Sequence, residues 1–354
     1  MPHRDKVLYS RCPVVPTSSS LAYKLGYLQD ELGNEAGLEF DMQVVTLEPT
    51  LHPAHDERYW LRHAGHPKAL WARSEGADTR VVALSWVDGS YPIMALPQSG
   101  IASPADLKGK RVAVAHIRGS SSLDLVRAQH LKTYETALQT AGLSLDEVEQ
   151  VKFEFGHEVM QGPKSVKAKN VFEIMAAEFL TAMIRGTIDA AATQLPAAVM
   201  NLLDIREVYD TRNHPSIAAR VNPTVLRAVV VSGPLHRDQR DVVVRIVARL
   251  LSAGQWAQAH PDDVAGLVAD DMKTSALRLT NAYGDLSRGV QIDVSEELVD
   301  ALGSHKDFLL RHGFIARDFS VDDWVDRSVM RDARLLLQER ASDRQAPGIN
   351  RHVA

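Results

Sequence analysis

The chain has 354 residues, 45% of them apolar and 24% charged, with a formal charge of −5. That length and apolar share suffice for a two-lobed globular protein, and mild acidity without a Lys/Arg stripe excludes the footprint of a nucleic-acid binder. No 18-residue apolar window predicts a membrane span, and one cysteine, Cys12, excludes an internal disulfide.

Met1 to Lys6 runs straight into Val7-Leu8-Tyr9, without the apolar stretch and cleavage site of a signal peptide. A reduced, cytoplasmic setting and a monomer are the expectation. Lys6 to Cys12 reads as a short strand ending at Pro13. The hydroxyls of Thr17-Ser18-Ser19-Ser20 can cap a helix predicted over Leu21 to Leu32, with Gly33 as its stop. Leu38 to Val45 alternates as a second strand. This opening is that of a doubly wound α/β domain.

Val81 to Trp86, Pro92 to Leu96 and Val112 to Ala115 read as buried strands. The loop Gly119-Ser120-Ser121-Ser122 opens the next helix, where Ser120 can cap it or bind an anion. Helices follow over Leu123 to Ala141 and Val171 to Arg185, with a strand at Val151 to Phe155 between them. Gly186 to Ala191 reads as a helix end and a strand, and Pro196 lies in the first turn of another helix. Thr224 to Val231 is a β-branched strand. Asp238 to Ala259 carries helical apolar spacing, Pro261 starts a helix, and the part from Ser295 is mostly helical, with Ala341 to Ala354 frayed. The order predicts two lobes, residues 1–112 with 215–354 and residues 113–214, and a ligand crevice at strand C-termini.

Cys12 stands at such a strand end, just before a helix, where a helix N-terminus and a cation lower a thiol's pKa. A buried structural thiol is the competing reading. Four histidines, His52, His55, His63 and His66, fall in a segment rich in Arg and acids that reads as a solvated loop. All-histidine structural metal sites are uncommon, so no metal is expected. His52 can instead control the protonation of the Cys12 thiol. The planar fork of Arg62 suits a two-oxygen anion, and Gly65 can bring a backbone N–H to the same oxygens.

The segment Tyr9-Ser10-Arg11-Cys12-Pro13-Val14 resembles the active-site cysteine segment of the hydroxybiphenyl-sulfinate desulfinases of dibenzothiophene desulfurisation. His52, the Arg ten residues on (Arg62) and the Gly three further (Gly65) stand at that family's spacing. Asp106 to Val112, Gly186 to Ala190 and Leu195-Pro196 match more widely shared type II periplasmic-binding-protein-like folds. The resemblance implies that fold, two doubly wound lobes with a helical C-terminal part. It implies hydrolysis of a C–S bond in an aromatic or related sulfinate, with release of sulfite. Cys12 would be proton donor or nucleophile, His52 would tune it, and Arg62 and Gly65 would bind the oxyanion. Ser10, His55 and Ser120 would contact the substrate, a small organic anion, and no cofactor is implied. Two departures bear on the pocket: Arg11 is bulkier than that family's residue before the cysteine, and His55 replaces an aromatic residue. The alternatives are a cytoplasmic solute-binding protein for a small organic anion, and an aromatic-acid decarboxylase on the same fold.

Overall fold

The computed structural model describes residues 6–11, 16–35, 39–44, 58–118, 123–156, 171–272 and 275–345. The first elements are β1 (Lys6–Arg11), α1 (Ser18–Lys24), a single turn α2 (Tyr27–Gln29), β2 (Glu39–Val44), β3 (Tyr59–Gly65), α3 (Pro67–Ser74) and β4 (Thr79–Trp86). The second group comprises β5 (Pro92–Ala95), β6 (Arg111–Ile117), α4 (Leu125–Thr140), β7 (Glu149–Phe155), α5 (Val171–Ile184), β8 (Ala190–Ala192), α6 (Ala197–Leu202) and β9 (Arg206–Asp210). After α7 (Ile217–Arg220) the chain returns through β10 (Leu226–Ser232), α8 (Gly233–Asp238), α9 (Arg240–Ala259) and α10 (Pro261–Met272). It closes with α11 (Ala276–Tyr283), α12 (Leu286–Gly289), α13 (Glu296–Arg311), α14 (Val321–Trp324) and α15 (Arg327–Gln345).

Two five-stranded sheets result, ordered β2-β1-β3-β10-β4 and β7-β6-β8-β5-β9. Each has the same plan. β1 has parallel neighbours β2 and β3 on its two sides, as β6 has β7 and β8, and β10 and β5 run antiparallel within their sheets. β1 and β6 are therefore the switch-point strands, and α/β sheets place their ligands beyond the carboxyl ends of such strands. Cys12 and the 119–122 segment follow those two ends in the chain. The first change of sheet lies between Trp86 and Pro92, so the expected boundary after residue 112 falls inside β6.

Two local expectations are corrected. The helix expected over Leu21 to Leu32 stops at Lys24, because Gly26 takes φ +78°, and Gly33 lies inside a π-helical turn over Asp30–Glu35. The helix expected over Asp238 to Ala259 is present as α9, and the short α8 ends at Asp238 just before it. The histidine-rich segment read as a solvated loop contributes β3, a buried strand near the middle of its sheet. No helix among the described residues is long and apolar enough to cross a membrane.

The C-terminal helices are tied back by charge as well as by packing. Glu31, fully buried, receives Arg245 Nε at 2.6 Å, Arg249 Nε at 2.5 Å and both terminal nitrogens of Arg340 at 2.8 and 2.9 Å. Burial alone would raise its pKa, but the Arg340 and Arg245 hydrogen bonds and the Arg249 charge hold it at about 2. Its charged form thus stabilises the fold above the ordinary carboxylate range, and that contribution is lost as pH falls from about 4.5 toward 2. Glu31→Ala strands three arginines at one point and is expected to cost about 3 kcal/mol, read from the urea midpoint at neutral pH.

Candidate functional site

β1 and β3 lie side by side in parallel register, with Ser10 opposite Arg62 and Arg11 opposite His63. Register partners in a parallel pair project to the same face, so Ser10 and Arg62 share one face while Tyr9, Arg11 and His63 share the other. Ser10 and Arg62 are both buried, and the Ser10 hydroxyl makes no hydrogen bond among the described residues. An unmet hydroxyl beside a buried guanidinium, two residues before Cys12, is a polar pair suited to an anion's oxygens. Gly65 ends β3 opposite Arg227, about 10 Å along the strand from Arg62. A Cβ there would stand 3.4 Å from the Pro223 carbonyl, so the missing side chain lets the turn before β10 pack closely.

The other face is a structural support for the same strand end. The Arg11 guanidinium pairs with Asp271 of α10, reaches the Ser20 hydroxyl at 3.4 Å and lies 5.7 Å over the Tyr23 ring. This bulky cation therefore projects away from the face shared by Ser10 and Arg62. Beside it, the Ser19 hydroxyl bridges the Tyr9 hydroxyl and His63 Nδ1, the latter at 2.6 Å. Burial, then the charges of Arg227 and Arg62, push the His63 pKa down to about 3, so the imidazole is neutral at physiological pH. Ser19→Ala strands His63 Nδ1 in the interior and is expected to cost about 1–3 kcal/mol, read by chemical denaturation.

His66 diverges from His63 despite their spacing. Its Nδ1 lies 2.9 Å from the Leu226 carbonyl, and its Nε2 meets His305 of α13. The two histidines thus serve separate contacts, and no group of three or more His, Cys, Asp or Glu among the described residues is arranged to hold a metal. On the second sheet, Asp124 caps α4 by accepting from Arg127 N at 3.0 Å and fastens the end of β6 by accepting from Ile117 N at 3.1 Å. Capping therefore falls to Asp124, and α4 begins at Leu125, after the serines expected to open it. Cys12, His52, His55 and Ser120 lie outside the described residues. Sequence reading missed His63 and Ser19 as partners. Residues 59–64 alternate Tyr, Leu and His with Trp, Arg and Ala, a period of two that charge-rich flanks obscured.

Residues 63–163 match the family described as NMT1/THI5 like. Over 352 residues the chain is 24% identical to the 2'-hydroxybiphenyl-2-sulfinate desulfinase of Rhodococcus erythropolis, covering 91% of this chain and 92% of that enzyme. A cysteine-to-serine mutant of DszB, crystallised in complex with biphenyl-2-sulfinic acid, superposes with a TM-score of 0.68 at 22% identity, over 94% of this chain and 100% of that one. The periplasmic aliphatic sulphonate binding protein SsuA from Escherichia coli superposes with a TM-score of 0.61 at 16% identity, over 92% of each chain. The fold is that of the type II periplasmic binding proteins, and the resemblance to the desulfinase spans nearly the whole chain.

Proposed function

We propose that this protein is a desulfinase that hydrolyses an aromatic or related sulfinate to the parent hydrocarbon and bisulfite. One water is consumed: its hydrogens end on the ring carbon and on bisulfite, and its oxygen joins the departing sulfur. The Arg62 guanidinium and the Ser10 hydroxyl hold the sulfinate oxygens, assisted by the Gly65 N–H. Cys12 either protonates the carbon bearing sulfur or attacks sulfur as thiolate, and His52 sets its protonation. His55 and Ser120 border the substrate.

The observation that carries the reading is the in-register pairing of Ser10 with Arg62 at the switch point, immediately before Cys12. Similarity to a desulfinase over nine-tenths of the chain supports the same reaction. The test is a sulfite and CO2 assay over a panel of aryl sulfinates and aryl carboxylates. Sulfite from sulfinates alone is expected. CO2 from carboxylates would replace desulfination by decarboxylation, with Arg62 holding a carboxylate. A second reading, capture of an organic sulfur anion without turnover, has support in the fold shared with a sulphonate binding protein. It predicts ligand-induced stabilisation with no product.

A further inference from the structure

A cavity of about 560 Å³ opens between the lobes, lined by α4, α7, α13 and α14 and by no residue of β1, β3 or β6. Its volume is within the range of small-molecule sites. Its walls belong to both halves of the protein. α4 follows β6 of the second sheet, while α13 and α14 pack against β4 of the first. α7 is fastened between them, its Ala219 carbonyl accepting from Thr136 Oγ1 at 3.1 Å and its Ala218 carbonyl from Ser304 Oγ at 2.9 Å.

The lining charges are mostly spoken for. Glu135 takes Arg311 at 2.6 Å and His312 at 2.8 Å, Asp307 takes Lys306 at 2.6 Å, and Asp322 takes Arg327 at 2.9 Å. Lys132 and Asp300 are left, each without an ion pair among the described residues. Lys132 is only 5% exposed, and its ammonium lies 5.5 Å over the Phe308 ring. Among the described residues no carboxylate lies at ion-pair distance from this deeply placed cation, and Glu135, one turn on, attracts it from farther off while holding Arg311 and His312. Accordingly burial brings its pKa down to about 8, against the pull of Glu135 and with the push of Arg311. Asp300, at the exposed rim on α13, is the complementary charge. Phe308, Val299 and Val321 supply the apolar part of the wall.

We propose that this cavity is a binding site for a small zwitterion, an α-amino acid with an apolar side chain. Its carboxylate meets Lys132, its ammonium turns to Asp300, and its side chain lies on Phe308. A ligand held there touches both lobes at once. The inference does not depend on the reaction at Cys12, because no residue is shared with that site.

The test is calorimetry on the full chain with L-leucine, L-leucinamide and 4-methylpentanoate, the last two lacking the carboxylate and the ammonium respectively. Leucine is expected to bind, and each analogue about tenfold or more weaker, as for loss of one charged contact. Lys132→Met keeps the apolar stem and removes a costly buried charge, so it folds. It is expected to lose leucine binding about tenfold or more while leaving leucinamide unchanged. Asp300→Asn, at the surface, is expected to weaken leucine and spare 4-methylpentanoate. The proposal is overturned if leucine, methionine and phenylalanine give neither heat nor a thermal shift at about 10 mM. It is equally overturned if Lys132→Met binds leucine as the parent does.

Discussion

Cys12→Ser is expected to abolish sulfite release while the protein keeps its fold, and Arg62→Ala to abolish it with some loss of stability. The two variants fail for different reasons. Serine retains the size of cysteine but has a hydroxyl far less acidic and less nucleophilic than a thiol, so it can neither hand over a proton readily nor attack sulfur. In the proposed reaction Arg62 acts on the substrate's charge. Loss of one preorganised donor to a developing oxyanion costs about 10²–10³ in kcat, and a guanidinium fork offers two donors and a full charge. Arg62→Lys keeps the charge without the fork, and is expected to recover only part of the rate. The readouts are sulfite release under saturating aryl sulfinate and near-UV circular dichroism for tertiary packing. Full activity in Cys12→Ser would remove the thiol from the mechanism. Because Arg62 is 7% exposed on an inner strand, its alanine variant is to be assayed below its own unfolding midpoint.

The arrangement that supports this reading was partly legible in sequence. β1, β4, β6 and α4 announce themselves through short apolar runs, the start of α1 through its hydroxyl cap, and Cys12 directly follows the first run. β3 does not announce itself. Its Arg62 and His63 have the composition of a solvated loop, yet they are buried. His63 Nδ1 is met by Ser19 of α1, and Arg62 stands in register beside Ser10. Local pattern reports on exposure only when polar groups have no distant partner, and here the partners lie on other elements. The same holds for the bond of His66 to His305, the pair of Arg11 with Asp271, and the joining of Glu31 to Arg340 across almost the whole chain. Family spacing singled out Arg62 as a candidate where periodicity could not.

Acid is expected to unfold this protein near pH 5, well before its carboxylates are neutralised. His63, His66, His130 and His305 are fully buried. Burial brings the pKa values of the first three to about 3 and that of His305 well below its ordinary value. Their hydrogen bonds specify neutral rings. His130 Nδ1 accepts from Ala115 N at 2.9 Å, so its proton is on Nε2, facing the Tyr91 hydroxyl at 2.9 Å. His66 Nδ1 must donate to the Leu226 carbonyl, so its Nε2 accepts from His305 Nδ1, leaving His305 Nε2 buried without a proton and with no partner among the described residues. Below pH 6.5 the unfolded chain takes up protons at these positions and the folded chain does not, so stability falls as pH falls. Each histidine removes up to about 1.4 kcal/mol per pH unit, or roughly 5 for the four together. By pH 5 the loss is about 8 kcal/mol, comparable to the whole stability of a typical domain. Glu31 still contributes in that window, because its protection fails only below about 4.5. Urea midpoints measured between about pH 7.5 and about pH 5.5, one unit either side of the ordinary histidine pKa, give the slope directly. A midpoint that does not move would mean that the four rings accept protons in place. A slope reduced by roughly a quarter on removing His130 alone, as His130→Gln, would assign it to these side chains rather than to the surface.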